Sequence, residues 1–165
     1  MSFNAYLQLD GIDGEATDAE HKKWIPLLGL DFGVDLPILI DRNTGGPSST
    51  NRANFHELTL TKGIDAATPK LYANCAGAKV IDKAKIEIAR GLGGKLVKPI
   101  VIELEKVYIT SVDTLASAAV HRVPVEIITL NYGTIKWTYT ASDLTKGAAG
   151  GNVEFKWDLV ANKSA

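Results

Sequence analysis

Apolar and polar side chains alternate one for one through much of this chain, and that period of two limits what it can fold into. Phe3, Ala5, Leu7 and Leu9 alternate with Asn4, Tyr6, Gln8 and Asp10. Val153, Phe155, Trp157 and Leu159 alternate with Glu154, Lys156 and Asp158, and Ile135, Trp137 and Tyr139 with Lys136, Thr138 and Thr140. Successive side chains of a strand point to opposite faces, so these segments read as half-buried antiparallel strands. Trp24, Pro26, Leu28, Leu30, Phe32, Val34 and Leu36 hold one phase over 13 residues, against a usual strand of about 5–6. Pro26 has no N–H for a ladder, which predicts an edge or a bulge there.

Further strands are predicted at 54–62, 83–90, 99–112 and 123–131. The first slips phase between Phe55 and Leu58, which predicts a bulge. The segment 99–112 is apolar on both faces and is expected to be covered on both sides. Asn131-Tyr132-Gly133-Thr134 reads as a tight hairpin, Gly91-Leu92-Gly93-Gly94 as a second turn, and Asn43 to Thr50 as a flexible polar loop. One helix is expected, with Thr68 as N-cap, Pro69 in the first turn, an apolar stripe of Leu71, Tyr72 and Cys75, and Gly77 at its end. Eight or nine strands, one short helix and no βαβ rhythm make residues 1–165 a single, mainly β domain, a barrel or a two-sheet sandwich.

The balance of 18 basic and 19 acidic residues gives a net charge of −1. A general nucleic-acid binder needs a surplus of Lys and Arg to displace counterions, so nucleic acid is not an expected partner. No apolar stretch reaches the roughly 18 residues of a membrane helix, so membrane insertion is not expected. The opening MSFNAYLQLD has no basic stretch followed by an apolar run, and no ordinary signal peptide is expected. Cys75 is the only cysteine, which rules out an internal disulfide.

Candidates for chemistry are few. ARGLGGKL at 89–96 nearly matches a phosphate-binding loop, but Leu96 stands where Ser or Thr would hold Mg²⁺, and a strand follows instead of a helix. His21, His56 and His121 lack the paired spacing of a zinc site. Asp10, Asp13, Glu15, Asp18 and Glu20 miss the alternation of a calcium loop, because Ile12 and Gly14 interrupt it. Cys75 falls on the apolar stripe of the helix, and Trp24, Trp137 and Trp157 fall on apolar strand phases, so all four read as packing residues. No catalytic residue, cofactor or metal is assigned. The feature left over is Leu36-Pro37-Ile38-Leu39-Ile40, an apolar run leading into a Gly/Ser loop and read as a contact surface for a partner or a second copy.

Several blocks together resemble a known family. Tyr6-Leu7, Leu9-Asp10-Gly11-Ile12-Asp13-Gly14-Glu15 and His21-Lys22 with Trp24-Ile25 look like the opening of the Hcp proteins, the tube subunits of bacterial type VI secretion. The likeness continues through Thr61-Lys62, Asp65, Pro69-Lys70-Leu71 and Cys75-Ala76-Gly77. It resumes with Leu130-Asn131-Tyr132-Gly133, Ile135 and Trp137-Thr138-Tyr139, and closes with Gly150-Gly151, Val153, Trp157-Asp158-Leu159 and Asn162-Lys163. It covers about residues 3 to 163.

The resemblance implies a small β-barrel of two antiparallel sheets with one short flanking α-helix, shared with phage tail-tube proteins. It implies homohexameric rings that stack into a tube under a spike protein, inside a contractile sheath, with effector cargo in the lumen. It also implies assembly in the bacterial cytoplasm and export without a signal peptide. Residues 36–40 are then ring contacts, and Asp31 and Gly33, on the second phase of the long strand, face the lumen. Ile38-Leu39-Ile40 and Leu115 to Val120 are more apolar than the small polar residues usual in the family. Alternative readings are a tail-tube subunit of a related contractile injection system and a stand-alone cargo- or carbohydrate-binding β-module.

Overall fold

The computed structural model describes residues 4–40, 42–49, 52–92, 95–116, 124–143 and 148–165. Strand β1 (Asn4–Leu9) buries Ala5, Leu7 and Leu9, the phase its alternation predicts. It pairs on one side with β2 (Ile25–Asp31) and on the other with β8 (Ile81–Leu92). With β7 (Leu58–Gly63), β9 (Lys95–Leu115) and β10 (Val125–Asn131), these strands close an antiparallel ring in the order β10-β7-β2-β1-β8-β9 and back to β10. Closure leaves the ring no free edge. Leu7, Ile25, Leu60, Ile86, Ile102 and Ile128 fill the interior with no exposed surface. Helix α1 (Thr68–Ala76) lies against β9 and buries Leu71.

Beside the barrel stands a wing. Strand β11 (Thr134–Asp143) takes over from β10 along the edge of β9, and β12 (Ala148–Asp158) and β13 (Lys163–Ser164) extend the sheet outward. An arm also leaves the barrel after β2. It is held by two short ladders, β3 (Val34–Asp35) with β6 (Asn54–Phe55) and β4 (Leu39–Ile40) with β5 (Pro47–Ser49).

Five expectations are corrected, most of them because the chain bends where a straight strand was read. The segment Trp24–Leu36 is not one long strand. It breaks at Phe32 and Gly33, and its core phase in β2 is Ile25 and Leu27, with Pro26 and Leu28 outside. A register shift between Leu27 and Gly29 then turns Leu30 toward the core, so two phases met at a bulge looked like a single one. The phase slip between Phe55 and Leu58 is a gap between β6 and β7, not a bulge within one strand.

Residues 99–112 look apolar on both faces because the inward phase switches along β9. Ile102 and Leu104 point in before Lys106, Val107 and Ile109 after it, and Lys106 is in the left-handed region (φ 54°). Asn131–Thr134 is not a hairpin: β10 and β11 run on as one ribbon opposite β9, with Asn131 facing Tyr108 and Thr134 facing Glu105. The ribbon turns a corner there, where the Gly133 N–H donates to the Glu105 carbonyl at 3.0 Å. A Cβ on Gly133 would meet the Lys106 Cβ at 3.3 Å, so the glycine serves a close approach and not a turn.

The helix starts as predicted but is capped differently. Ala67 holds the N-cap position without a side-chain bond. The Thr68 hydroxyl instead donates to Glu126 at 2.9 Å and accepts from the Asp65 N–H at 3.2 Å. Gly77 ends the helix as expected, although the left-handed residue is the next one, Ala78 (φ 47°). Gly91 and Leu92, read as part of a turn, belong to β8, whereas positions 93 and 94 lie outside the described residues, as do His121 and positions 117–120 of the apolar loop.

Candidate functional site

The arm carries the contact residues expected from the sequence, and the structure places them in solvent. Val34 is 52% exposed, Leu36 48%, Ile38 55% and Ile40 69%. Pro37 is exposed too, and the Leu39 side chain lies outside the described part, its backbone opposite Ser49. Val34, Leu36, Ile38 and Ile40 are thus four exposed apolar side chains on one short segment that spans the two small ladders. Exposed apolar side chains gathered on one segment suit contact with another surface.

The arm is fastened at its root. Asp35 accepts from His56 at 2.7 Å and from the Asn54 amide at 3.1 Å, and these bonds hold its carboxyl below the usual range. The Tyr132 hydroxyl donates to the His56 carbonyl at 2.9 Å, and burial pushes that phenol up. Arg52 donates to the Leu159 carbonyl. Phe55 packs against Phe155 and Trp157 of the wing, with ring centroids 6.2 and 5.9 Å away. Asp31 is exposed at the end of β2. Gly33 is half-buried beneath His56, whose Nδ1 would lie 2.9 Å from an added Cβ.

The wing has two unlike faces. Ile135, Trp137 and Tyr139 of β11 pair in register with Trp157, Phe155 and Val153 of β12, which makes one face apolar. Among the described residues its inner part is covered, by Phe32 against Trp137 at 5.5 Å and by Phe55. Tyr139, Phe155 and Val153 stay open, Val153 at 68%. Lys136 and Glu154 on the other face form an ion pair at 3.1 Å. Beyond Trp157 and Asp158, which pair with β13, the outer edge of β12 has no strand partner among the described residues.

Two buried ionic clusters fix the elements that carry these surfaces. Lys62, with no exposed surface, holds Asp65 and Glu126, each at 2.8 Å, and so ties the start of α1 to β7 and β10. Glu87 accepts from Lys98 at 2.7 Å, Lys85 at 2.8 Å and His21 at 2.9 Å. Burial pushes the Glu87 carboxyl up, but the bonds from Lys85, Lys98 and His21 outweigh it and hold it at about 2. Sequence reasoning missed both clusters, because Lys62 and Glu126 are 64 positions apart and His21 and Glu87 are 66.

Of the described histidines, His21 and His56 are not brought together: each bonds its own carboxylates. Among the described residues no group of three or more His, Cys, Asp or Glu could hold a metal ion, and no helix is long and apolar enough to cross a membrane. The arrangement offers exposed apolar side chains and an open sheet edge, which suit association with another protein chain.

Residues 6–139 match the family model described as type VI secretion system effector, Hcp. The protein hcp1 of Pseudomonas aeruginosa is 27% identical over 165 residues, covering all of both chains. Among solved structures, one described as a type six secretion system protein superposes with a TM-score of 0.91 at 30% identity, covering 99% of this chain and 100% of that one. Hcp1 from Salmonella typhimurium gives a TM-score of 0.78 at 25% identity, covering 100% of both chains.

Proposed function

The chain belongs to the Hcp family of type VI secretion tube proteins, and from that premise we propose that it builds the tube as a hexameric ring. The observation that carries this is the pairing of an exposed apolar arm with an open apolar wing on one closed barrel. A contact between the arm of one copy and the wing of the next is heterologous, and a heterologous contact that closes makes a ring. It covers Val34, Leu36, Ile38 and Ile40 on one side and Tyr139, Val153 and Phe155 on the other. Residues 36–40 are therefore the proposed subunit contacts.

Rings stacked in register form a conduit, with a spike protein at the tip and a contractile sheath around it. The chain is assembled in the cytoplasm and expelled with the tube. Asp31 and Gly33 are the proposed lumen-facing positions, and effector proteins the proposed cargo. The role is structural and asks for no catalytic group.

Size-exclusion chromatography with light scattering tests the ring. The expected mass is six times the 17.7 kDa of one chain. A mass of one chain at every concentration would overturn the proposal.

A further inference from the structure

The loop at residues 13–24 sets His21 against Tyr6 of β1 and Glu87 of β8, and His21 has no exposed surface. Its Nδ1 lies 2.7 Å from Asp18 Oδ1 and its Nε2 2.9 Å from Glu87 Oε2. An ionised carboxylate only accepts hydrogen bonds, whereas a neutral imidazole has one N–H and one bare nitrogen. Both contacts are thus hydrogen bonds only when the ring carries both protons. In the neutral ring one of the two nitrogens faces a carboxylate oxygen, lone pair to lone pair.

Charge balance points the same way. Every element packed on His21 contributes to the cluster: Asp18 and Glu20 from the loop, Lys85 and Glu87 from β8, and Lys98 from β9. Three carboxylates then face two ammonium groups, and an imidazolium makes the sum zero. Tyr6 of β1 stacks on the ring at 4.2 Å, nearly parallel, and Trp24 meets it edge-on at 5.0 Å.

We propose that His21 is a proton-operated latch that locks the 13–24 loop to the β8–β9 hairpin when doubly protonated and releases it when neutral. Lys98 bridges Glu20 at 3.1 Å and Glu87 at 2.7 Å, so the latch also reaches the root of that hairpin. Released, the loop loses an internal anchor of its backbone bonds, Trp24 N–H to the His21 carbonyl at 3.0 Å and Lys23 N–H to the Ala16 carbonyl at 2.9 Å.

Mass spectrometry on the full chain tests this over a pH series. Exchange at the imidazole ring carbon reads the titration of each histidine, and amide exchange, corrected for intrinsic rates, reads the loop. Loop protection is expected to fall roughly 10- to 100-fold with rising pH, the loss of one charge-assisted bond, with the same midpoint as the His21 ring. In His21→Gln the loop is expected to be less protected and independent of pH, while His56→Gln keeps the wild-type response. Asp18→Asn, at the partly exposed end of the latch, is expected to flatten the response with the barrel intact. Loop protection that stays constant while His21 titrates would overturn the latch, as would a wild-type response in Asp18→Asn.

Discussion

Replacing Ile38 and Ile40 together by serine separates folding from assembly. In the single chain these side chains are 55% and 69% exposed, so the substitutions remove little from its own fold, about 0.5 kcal/mol or less for surface positions. A neighbouring copy that covers these side chains buries what is now open. The uncovered fractions amount to a little over one whole isoleucine, and a fully buried one contributes about 1.5–3 kcal/mol, so each contact loses about 2–4 kcal/mol. At 1.4 kcal/mol per factor of ten, each contact weakens roughly 30- to 700-fold. A ring repeats the loss at every interface, so the double variant should sediment as single chains at concentrations where the parent is assembled. Urea unfolding, compared under conditions where both are single chains, should give the same midpoint. Unchanged sedimentation would refute the assignment of the arm as a contact, and a lowered urea midpoint would refute the claim that it is unneeded by the fold.

Gly14→Ala should cost about 3 kcal/mol by overpacking, since an added Cβ would lie 2.5 Å from the Trp24 carbonyl oxygen and 2.7 Å from the Ile25 Cα. Gly63→Ala, with nothing within 4 Å of its Cβ, is the control, and an equal loss in urea would contradict the argument. Lys62→Met leaves Asp65 and Glu126 buried without their cation and should cost about 3–5 kcal/mol. Glu126→Gln keeps the Lys62–Asp65 pair and should cost less; the reverse order in denaturant melts would be inconsistent with the cluster. Glu87 titrates at about 2 in the fold against an ordinary 4.5. Its stabilisation is therefore complete above pH 4.5 and is lost as pH falls toward 2, by about 3 kcal/mol. Stability measured from pH 6 to 2 should lose that component in Glu87→Gln, and an unchanged acid limb would count against the three-cation site.

The strands that carry one phase from end to end were legible in the sequence. Strand β1 buries Ala5, Leu7 and Leu9 as its alternation requires, and β11 and β12 present Trp137 and Trp157 on one face. Corners were not legible. The switch at Lys106 and the shift after Leu27 each depend on a backbone conformation that alternation does not announce, and the glycine at 133, which serves a close approach, carries the same signal as a hairpin glycine. The apolar arm could be read because Ile38 and Ile40 stand where a loop ought to be polar. The buried clusters could not, because Glu87 occupies an outward strand position and looks solvated until the 13–24 loop sets His21 against it. Thr68 has the residue type of an N-cap, but its hydroxyl is taken by Glu126 from a distant strand. Local propensity gave way there to a tertiary bond.

The central claim, that arm and wing are surfaces sealed by neighbouring copies, is tested most directly by negative-stain electron microscopy of the purified chain. The account predicts closed rings of six subunits around an open centre, with Ile38→Ser/Ile40→Ser reducing them to single particles. A uniform field of isolated, unringed molecules at high concentration would contradict it.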